Sequence, residues 1–141
     1  YTAVRFFGAY GPFEPERKIY TRLVRRFAQE KNPQFTLRGN GLNLIDAMHV
    51  DDTMRAIALL LEREGGNMVV DLCSGAPLTL RQLVEQTAKN FGLDAAITFE
   101  GSVPEYIEFY SADRSMKDQF GFEPVVPLDQ GLHELLNHIC Q

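Results

Sequence analysis

A histidine followed by two acids is the group in this sequence that most suggests chemistry. His49, Asp51 and Asp52 could together bind a metal ion or relay a proton. His133 and His138 lie far along the chain on an amphipathic stretch, so His49 has no imidazole partner nearby. Because a general base needs a partner that the sequence does not supply, we predict neither a catalytic residue nor a metal ligand and interpret His49 as structural.

Glycine, serine and cysteine motifs are equally incomplete. Gly39-x-Gly41 could open a dinucleotide-binding loop, but Leu44 occupies the third glycine position and a strand follows where a helix is required. Ser74 lacks the Gly-x-Ser-x-Gly context of a serine hydrolase, and Cys73 has no second cysteine nearby. If the protein belongs to an enzyme, its reactive groups therefore lie elsewhere.

Strands and helices must alternate along the chain to position these residues. Strands are predicted over Val4–Phe7, Gln34–Arg38, Leu44–Val50, Met68–Leu72, Ala95–Phe99 and Tyr106–Phe109. Helices are predicted from Glu16 to Lys31, from an Asp51 or Asp52 cap to Arg63, and over Leu80–Phe91, Asp113–Phe120 and Leu128–Ile139. Thr79 with Gln82 predicts a capping box, and Gly65-Gly66 a helix stop. The alternation indicates an α/β fold with about five helices.

Composition excludes several classes of protein. The 141 residues, with a net charge of −5, allow one domain, and the longest apolar run, Ala56–Leu61, is too short to span a membrane. No signal peptide is evident, and two cysteines do not make a disulfide framework, so we expect a cytoplasmic protein. Residues 1–45 carry eight basic and three acidic side chains, which could hold a phosphate although the acidic whole disfavours nucleic acid.

Four segments in order carry a family resemblance. They are VRFFGAYGP (Val4–Pro12), GNGLNLIDAMHVDD (Gly39–Asp52), MVVDLCSGAPLTLRQLVE (Met68–Glu85) and SADRSMKDQFGFEPVVPLDQGL (Ser111–Leu132). Together they resemble the C-terminal half of an extended short-chain dehydrogenase/reductase of the NAD-dependent epimerase/dehydratase family. The resemblance implies that residues 1–141 are the C-terminal, substrate-binding part of a Rossmann-type α/β enzyme, with a mixed small sheet. The N-terminal dinucleotide-binding half would be absent, in keeping with a chain that begins at Tyr1 inside a strand.

The resemblance also implies a function. Members act on sugar nucleotides as epimerases, dehydratases or reductases with NAD or NADP, which the other half mainly binds. The family's glycine-rich loop and Tyr-x-x-x-Lys dyad would precede Tyr1, so we expect the chain to be inactive alone. A stand-alone nucleotide- or sugar-binding module without catalysis is the alternative, and nucleic-acid binding by the Arg17–Arg26 helix is a weaker one. The expected partner is a small molecule, and the exposed edge near residues 2–7 leaves a homodimer open.

Site residues follow from the same resemblance. Phe6, Phe7 and Gly8 match the segment beside the nicotinamide, where aromatic and backbone groups exclude water. Arg17 matches a basic position that meets substrate phosphates, and Lys18 lies beside it at the helix start. The substrate-side positions are completed by Arg38, which could stack on the nucleotide base, and by Asn43, next to the diphosphate.

Several positions depart from the family pattern. Gly8 replaces an asparagine, Ile45 replaces an arginine, and Asp71 replaces an asparagine in a way that would repel a diphosphate. Glu105 or Tyr106 stands where a later arginine is expected. Either the basic residues already named substitute as anchors, or the substrate differs from an ordinary nucleoside diphosphate.

Overall fold

Eight strands and five helices make up the part of the chain that the structure describes, a computed structural model covering residues 1–63, 67–102 and 108–141. The strands are β1 (Thr2–Phe6), β2 (Ala9–Tyr10), β3 (Gln34–Arg38), β4 (Leu44–Ile45), β5 (Met48–His49), β6 (Met68–Leu72), β7 (Leu78–Thr79) and β8 (Ala96–Glu100). The helices are α1 (Ile19–Val24, continued by a π-helical stretch, Arg25–Gln29), α2 (Val50–Glu62), α3 (Leu80–Asn90), α4 (Ser115–Phe120) and α5 (Leu128–Ile139). None of these helices has the length and hydropathy needed to cross a membrane.

The strands form four two-stranded pairs. β1 pairs with β6, β2 with β5 and β3 with β8, all in parallel, whereas β4 and β7 are antiparallel. In the third pair Arg38 lies opposite Glu100, and in the first Phe6 lies opposite Leu72. The carboxyl ends of each parallel pair therefore meet, and the loops that follow them lie side by side.

Two apolar cores hold these pairs and helices together. The larger core includes Leu23 and Phe27 of the first helical segment, with Leu83 of α3 and Leu132 of α5, all fully buried. The smaller core lies under β6, and its members are Met48, Ala56, Val70, Leu72, Met116, Phe120 and Phe122. Replacing one of these large side chains by alanine typically costs ~2–5 kcal/mol. The larger core thus fixes β3 and β8 against α3, which matters for the site below.

Predicted elements with complete local signals are confirmed. β3, β6 and α5 have the predicted bounds, and α3 begins at Leu80 as expected. Its capping box is present, because the Gln82 N–H donates to the Thr79 hydroxyl at 3.1 Å and the Thr79 N–H donates to the Gln82 side chain at 2.9 Å. The predicted helix stop at Gly65-Gly66 and the first two residues of the predicted Tyr106–Phe109 strand lie outside the described residues. Phe109 forms a parallel bridge to Ile45.

The first helix starts later than predicted. α1 begins at Ile19 instead of Glu16, since the Lys18 N–H donates to the Pro15 carbonyl in a preceding turn. The Glu14 carboxylate accepts hydrogen bonds from the Thr21 N–H at 2.7 Å and from its hydroxyl at 2.8 Å. Glu14 thus supplies the acceptor for the first turn from outside the helix, which the sequence pattern did not reveal.

The predicted strand Leu44–Val50 is wrong as a single element. It divides into β4 and β5, which pair with different partners on either side of the buried Asp46. The Asp46 carboxylate accepts from the Ser74 N–H at 2.8 Å, from the Ser74 hydroxyl and from the Gly75 N–H at 3.3 Å. A buried carboxylate requires such donors, so the chain bends there to reach the loop after β6.

The predicted cap of α2 is also wrong. The N-cap is His49, whose Nδ1 accepts from the Asp51 N–H at 3.4 Å, and the helix begins at Val50. Asp51 and Asp52 lie in the first turn of α2. Acidic side chains there interact favourably with the positive end of the helix dipole. Asp52 is structural in another way, since it binds the backbone of the segment before α5.

Candidate functional site

A cavity of about 520 Å³ opens at the carboxyl ends of β3 and β8. The residues that directly follow the two strands line it, as does one acid from further along the chain. Its lining residues are Gly39, Asn40, Leu42, Asn43, Gly101, Ser102 and Glu108. Ligands of α/β proteins bind outside the carboxyl ends of parallel strands, and the volume lies within the ~300–1,000 Å³ of small-molecule sites. The cavity is therefore the candidate substrate site.

The loop Gly39–Asn43 is held in one conformation by α3. The Leu80 N–H donates to the Asn43 carbonyl and the Arg81 N–H donates to the Gly41 carbonyl, both at 2.9 Å. Gly41 has a φ of +73°, and a Cβ there would lie 3.0 Å from the Phe99 ring, so only glycine suits this position. The loop thus presents Asn43 to the cavity from a fixed backbone.

The lining residues that the structure describes carry one negative charge. Glu108 is the charged residue among the lining residues that the structure describes. Arg38 directly precedes the loop and is exposed at the end of β3, opposite Glu100. Arg81 lies nearby but is stacked over Phe99, 5.3 Å from the ring centroid. Among the predicted substrate residues, the structure therefore brings Asn43 into the cavity and Arg38 to the adjoining strand end.

Arg17 and Lys18 lie away from this cavity. Both are exposed before α1, where Lys18 is the N-cap residue and its carbonyl accepts from the Arg22 N–H at 3.1 Å. Neither lines any of the cavities described for residues 1–63, 67–102 and 108–141. Their assignment to substrate phosphates stays a prediction that depends on the resemblance.

The predicted cofactor residues lie at the carboxyl end of β1. Phe6 is 53% exposed, and the Phe7 N–H donates to the Leu72 carbonyl at 3.1 Å. Gly8 has a φ of +123°, and its carbonyl accepts from the Met48 N–H at 3.1 Å. The segment Phe6–Gly8 is therefore fixed by its backbone on two neighbouring strands, while the Phe6 ring stays accessible to a ligand.

Asp71, which was expected to repel a diphosphate, is instead buried and paired within the fold. Asp71 is buried, and its carboxylate accepts from the Arg5 Nε at 2.5 Å and from the Ser111 hydroxyl. Arg5 thus compensates the negative charge next to the predicted cofactor segment. The aspartate that stands here in place of the family's asparagine therefore forms an ion pair with Arg5.

His49 is buried at the start of α2 and contacts groups on two helices. Its ring is fully buried, with Nδ1 accepting from the Asp51 N–H and Nε2 lying 3.3 Å from the Glu134 carboxylate of α5. One ligand atom from each of His49, Asp51 and Glu134 lies within 4.8 Å of the others, so the three side chains could approach a metal ion. However, Asp51 approaches Nδ1 and Glu134 approaches Nε2, so the two acids do not share one nitrogen. The imidazole joins α2 to α5 instead.

Cys73 is a thiol with little tendency to ionise. Burial and then the neighbouring Asp46 charge raise its pKa to about 11 from an ordinary 9.0. Because the thiolate is the reactive form, we expect alkylation of Cys73 at pH 8 to be roughly 100-fold slower than that of a cysteine with the ordinary pKa. The rate should rise about tenfold per pH unit up to pH 11. The exposed Cys140 provides the second thiol for comparison.

Iodoacetamide labelling followed by mass spectrometry measures both rates in one sample. The Cys140→Ser variant isolates the slow reaction and provides the control. Equal labelling of the two thiols at pH 8 would contradict the raised pKa of Cys73.

Sequence reasoning missed Gly101, Ser102 and Glu108. The first two follow β8 and enter the site because β8 pairs with β3. The pairing joins residues as far apart in sequence as Thr36 and Thr98, whose hydroxyls lie 2.9 Å apart. A local signal did exist, since a glycine directly follows each of the two strands. Recognising the strands as neighbours would have predicted this edge.

Fold and site together define a class: an α/β protein whose small-molecule cavity is formed by loops at the carboxyl ends of parallel strands. A family model described as the NAD dependent epimerase/dehydratase family matches residues 1–72, which is about half of the chain. The chain belongs to the NAD-dependent epimerase/dehydratase family. The sequence resemblance over the four segments is thereby confirmed.

Individual relatives agree with this assignment. The chain is 30% identical to a putative GDP-L-fucose synthase 2 of Oryza sativa subsp. japonica, over 95% of the chain and 41% of that protein. It is 31% identical to a dTDP-glucose 4,6-dehydratase of Streptomyces griseus, over 87% and 38% respectively. A crystal structure of UDP-glucuronic acid 4-epimerase from Bacillus cereus, in complex with UDP-glucuronic acid and NAD, matches with a TM-score of 0.80 at 25% identity, covering 98% of this chain and 44% of that one. The chain thus spans less than half the length of these relatives.

Proposed function

We propose that this chain is the substrate-side part of an NAD(P)-dependent sugar-nucleotide epimerase, dehydratase or reductase. One observation carries the proposal: a preformed cavity lies at the carboxyl ends of β3 and β8 in a chain of the NAD-dependent epimerase/dehydratase family. The relatives described above act on, or bind, sugars linked to nucleoside diphosphates. In this proposal the dinucleotide-binding half is a separate part, and residues 1–141 bind and orient the substrate in a cytoplasmic enzyme.

Two regions of the chain have distinct roles in this proposal. Phe6, Phe7 and Gly8 form a wall beside the nicotinamide, which supplies the hydride acceptor when NAD or NADP is bound. The accessible Phe6 ring and the backbone of Gly8, fixed by the Met48 N–H, support this role. An apolar wall excludes water from a hydride transfer.

The substrate contacts come from the cavity and the basic side chains near it. Asn43 contacts the diphosphate region from the loop that α3 fixes, and Arg38 approaches the base or phosphates from the end of β3. Arg17 and Lys18 add positive charge at the start of the first helix. Tyr-x-x-x-Lys chemistry is not in this sequence, so the proposed chain positions the substrate and catalyses nothing alone.

A stand-alone nucleotide- or sugar-binding module is the second candidate. The observation that favours it is that the described residues contain no acid–base pair directed into the substrate cavity. Incubating the 141-residue chain with NAD and a sugar nucleotide tests whether the chain alone is inactive. Measurable NADH formation would contradict that expectation. A homodimer stays a prediction, which size-exclusion chromatography at high concentration tests.

Binding of a sugar nucleotide to the isolated chain tests the proposed substrate site. We expect UDP-glucose or GDP-mannose to shift the backbone amide NMR signals of Asn43, Gly101 and Ser102, with no shift at Cys140. The Arg38→Gln variant should bind roughly 10-fold more weakly, because a charge-assisted contact to phosphate contributes ~1.5–3 kcal/mol.

Arg26→Gln is the matched control for this variant. Arg26 is a partly exposed arginine of the π-helical stretch and pairs with Glu30 at 2.8 Å. Equal weakening by both variants would indicate a general charge effect and would remove Arg38 from the site. Shifts confined to residues outside the cavity would refute the proposed location of the substrate.

A further inference from the structure

We infer that Glu108 selects the base of the bound nucleotide and that this base is guanine. The inference rests on the proposed function, since it assumes a nucleoside diphosphate sugar in the cavity after β3 and β8. The relatives described above carry different bases, namely guanine, thymine and uracil. Membership of the family therefore leaves the base open, and the lining of the cavity must decide it.

One carboxylate, that of Glu108, is the charged group in the described lining of the cavity. Glu108 is exposed and lines the cavity, and no hydrogen bond or ion pair joins it to any residue within the described ranges. No lysine, arginine or histidine is among the described lining residues. An ionised carboxylate only accepts hydrogen bonds, so this wall favours a ligand edge with two adjacent N–H groups.

Asn40 supplies the complementary donor. Its side-chain oxygen already accepts from the Leu42 N–H at 3.0 Å within the loop. The remaining amide NH2 is a donor of a residue that lines the same cavity. The described lining thus offers one carboxylate, Glu108, that can accept two hydrogen bonds, together with the amide groups of Asn40 and Asn43 and the Ser102 hydroxyl. The carboxylate is the group among them that only accepts, so it is the one that discriminates between bases.

Guanine is the common base that matches this lining. Its Watson–Crick edge presents the O6 acceptor followed by two neighbouring donors, N1–H and the N2 amino group. Uracil and thymine present one N–H between two carbonyl oxygens, and one of those oxygens would face the carboxylate. Adenine and cytosine place a ring nitrogen acceptor beside their amino group, which the carboxylate also repels. A polar site rejects a base that leaves its groups unpaired more strongly than an apolar site does.

Isothermal titration of the 141-residue chain with GDP, UDP and dTDP tests the inference. We expect GDP to bind at least about 10-fold more tightly than UDP or dTDP, because two charge-assisted hydrogen bonds distinguish them. The Glu108→Gln variant should bind GDP roughly 10- to 100-fold more weakly and UDP with little change. Because Glu108 is exposed, an unchanged thermal unfolding midpoint is expected and confirms that the variant folds.

Glu100→Gln provides a matched control. Glu100 ends β8, two residues before Ser102, but does not line the cavity, so its loss tests the effect of charge alone. Unchanged GDP affinity in this variant supports direct recognition by Glu108, whereas equal loss in both variants overturns it. Equal affinities of the wild-type chain for all three nucleotides would overturn the choice of guanine and leave the proposed function standing. Absence of binding by every nucleotide would overturn both.

Discussion

Replacing Asp52 by alanine is expected to lower the free energy of unfolding by about 3–5 kcal/mol. The Asp52 side chain is fully buried, and its Oδ2 accepts from the Val125 N–H at 3.0 Å and the Val126 N–H at 2.9 Å. Its Oδ1 accepts from Arg55 at 2.5 Å. Alanine would leave two backbone donors without an acceptor and would separate α2 from the segment that leads into α5. Urea unfolding followed by circular dichroism measures the change.

Two further variants determine the origin of the effect. Asp51→Ala alters the same helical turn, but the Asp51 side chain is 69% exposed, so we expect a loss of only ~0.3–1 kcal/mol from the helix dipole. Asp52→Asn retains one oxygen for the two N–H groups but turns an amide toward Arg55, and should lose an intermediate amount. Similar losses for Asp51→Ala and Asp52→Ala would show that Asp52 acts only through the helix dipole.

Replacing Gly131 by alanine is expected to destabilise the protein by about 1–3 kcal/mol. This is the opposite of the helix-propensity effect, because alanine in a helix interior is ~1 kcal/mol more favourable than glycine. A Cβ at Gly131 would lie 2.7 Å from the Tyr10 hydroxyl oxygen and 2.9 Å from Cδ2 of His49. Neither ring can move aside easily. Tyr10 stacks on Tyr20 with ring centroids 4.4 Å apart, and a Cβ at Gly11 would lie 2.8 Å from Nε2 of His49.

Asn137→Ala is the control in the same helix. Asn137 is exposed on α5, so alanine there should be neutral or stabilise the fold by up to ~0.5 kcal/mol through helix propensity. Thermal unfolding of both variants gives the comparison. A rise in melting temperature for Gly131→Ala would mean that α5 shifts away from Tyr10 at little cost.

The family and much of the local structure could be predicted from the sequence. α3 and α5 were predictable because their apolar period and, in α3, the capping box are contained in neighbouring residues. The break at Asp46 was not predictable, because the donors that require it belong to Ser74 and Gly75 on another segment. The same reason explains the Glu14 contact with Thr21, which crosses a turn that contains Pro15.

The candidate site was predicted only in part. Asn43, which lines the cavity, could be predicted from the sequence. The Gly39–Gly41 pattern indicates a turn, and the family resemblance assigns a polar role to the position that follows it. Glu108 could not be predicted in this way, because its neighbour Phe109 bridges to Ile45 and the Phe109 N–H donates to the Leu44 carbonyl at 2.9 Å, a contact between segments distant in sequence. The role of Asp71 depended on Arg5, which is distant in sequence. Local patterns define elements, whereas the site arises from the pairing of elements.

The three buried aspartates in the described part of the chain have a consequence for the order of folding. Asp46, Asp52 and Asp71 join segments that are 28, 73 and 66 residues apart in sequence, respectively. Closing such loops costs entropy before the contact contributes stability. The helices are therefore expected to form first and the aspartate contacts late. In native-state hydrogen exchange, the amides of Ser74, Val125 and Val126 would then open together with the long-range contacts and not with the nearest helix.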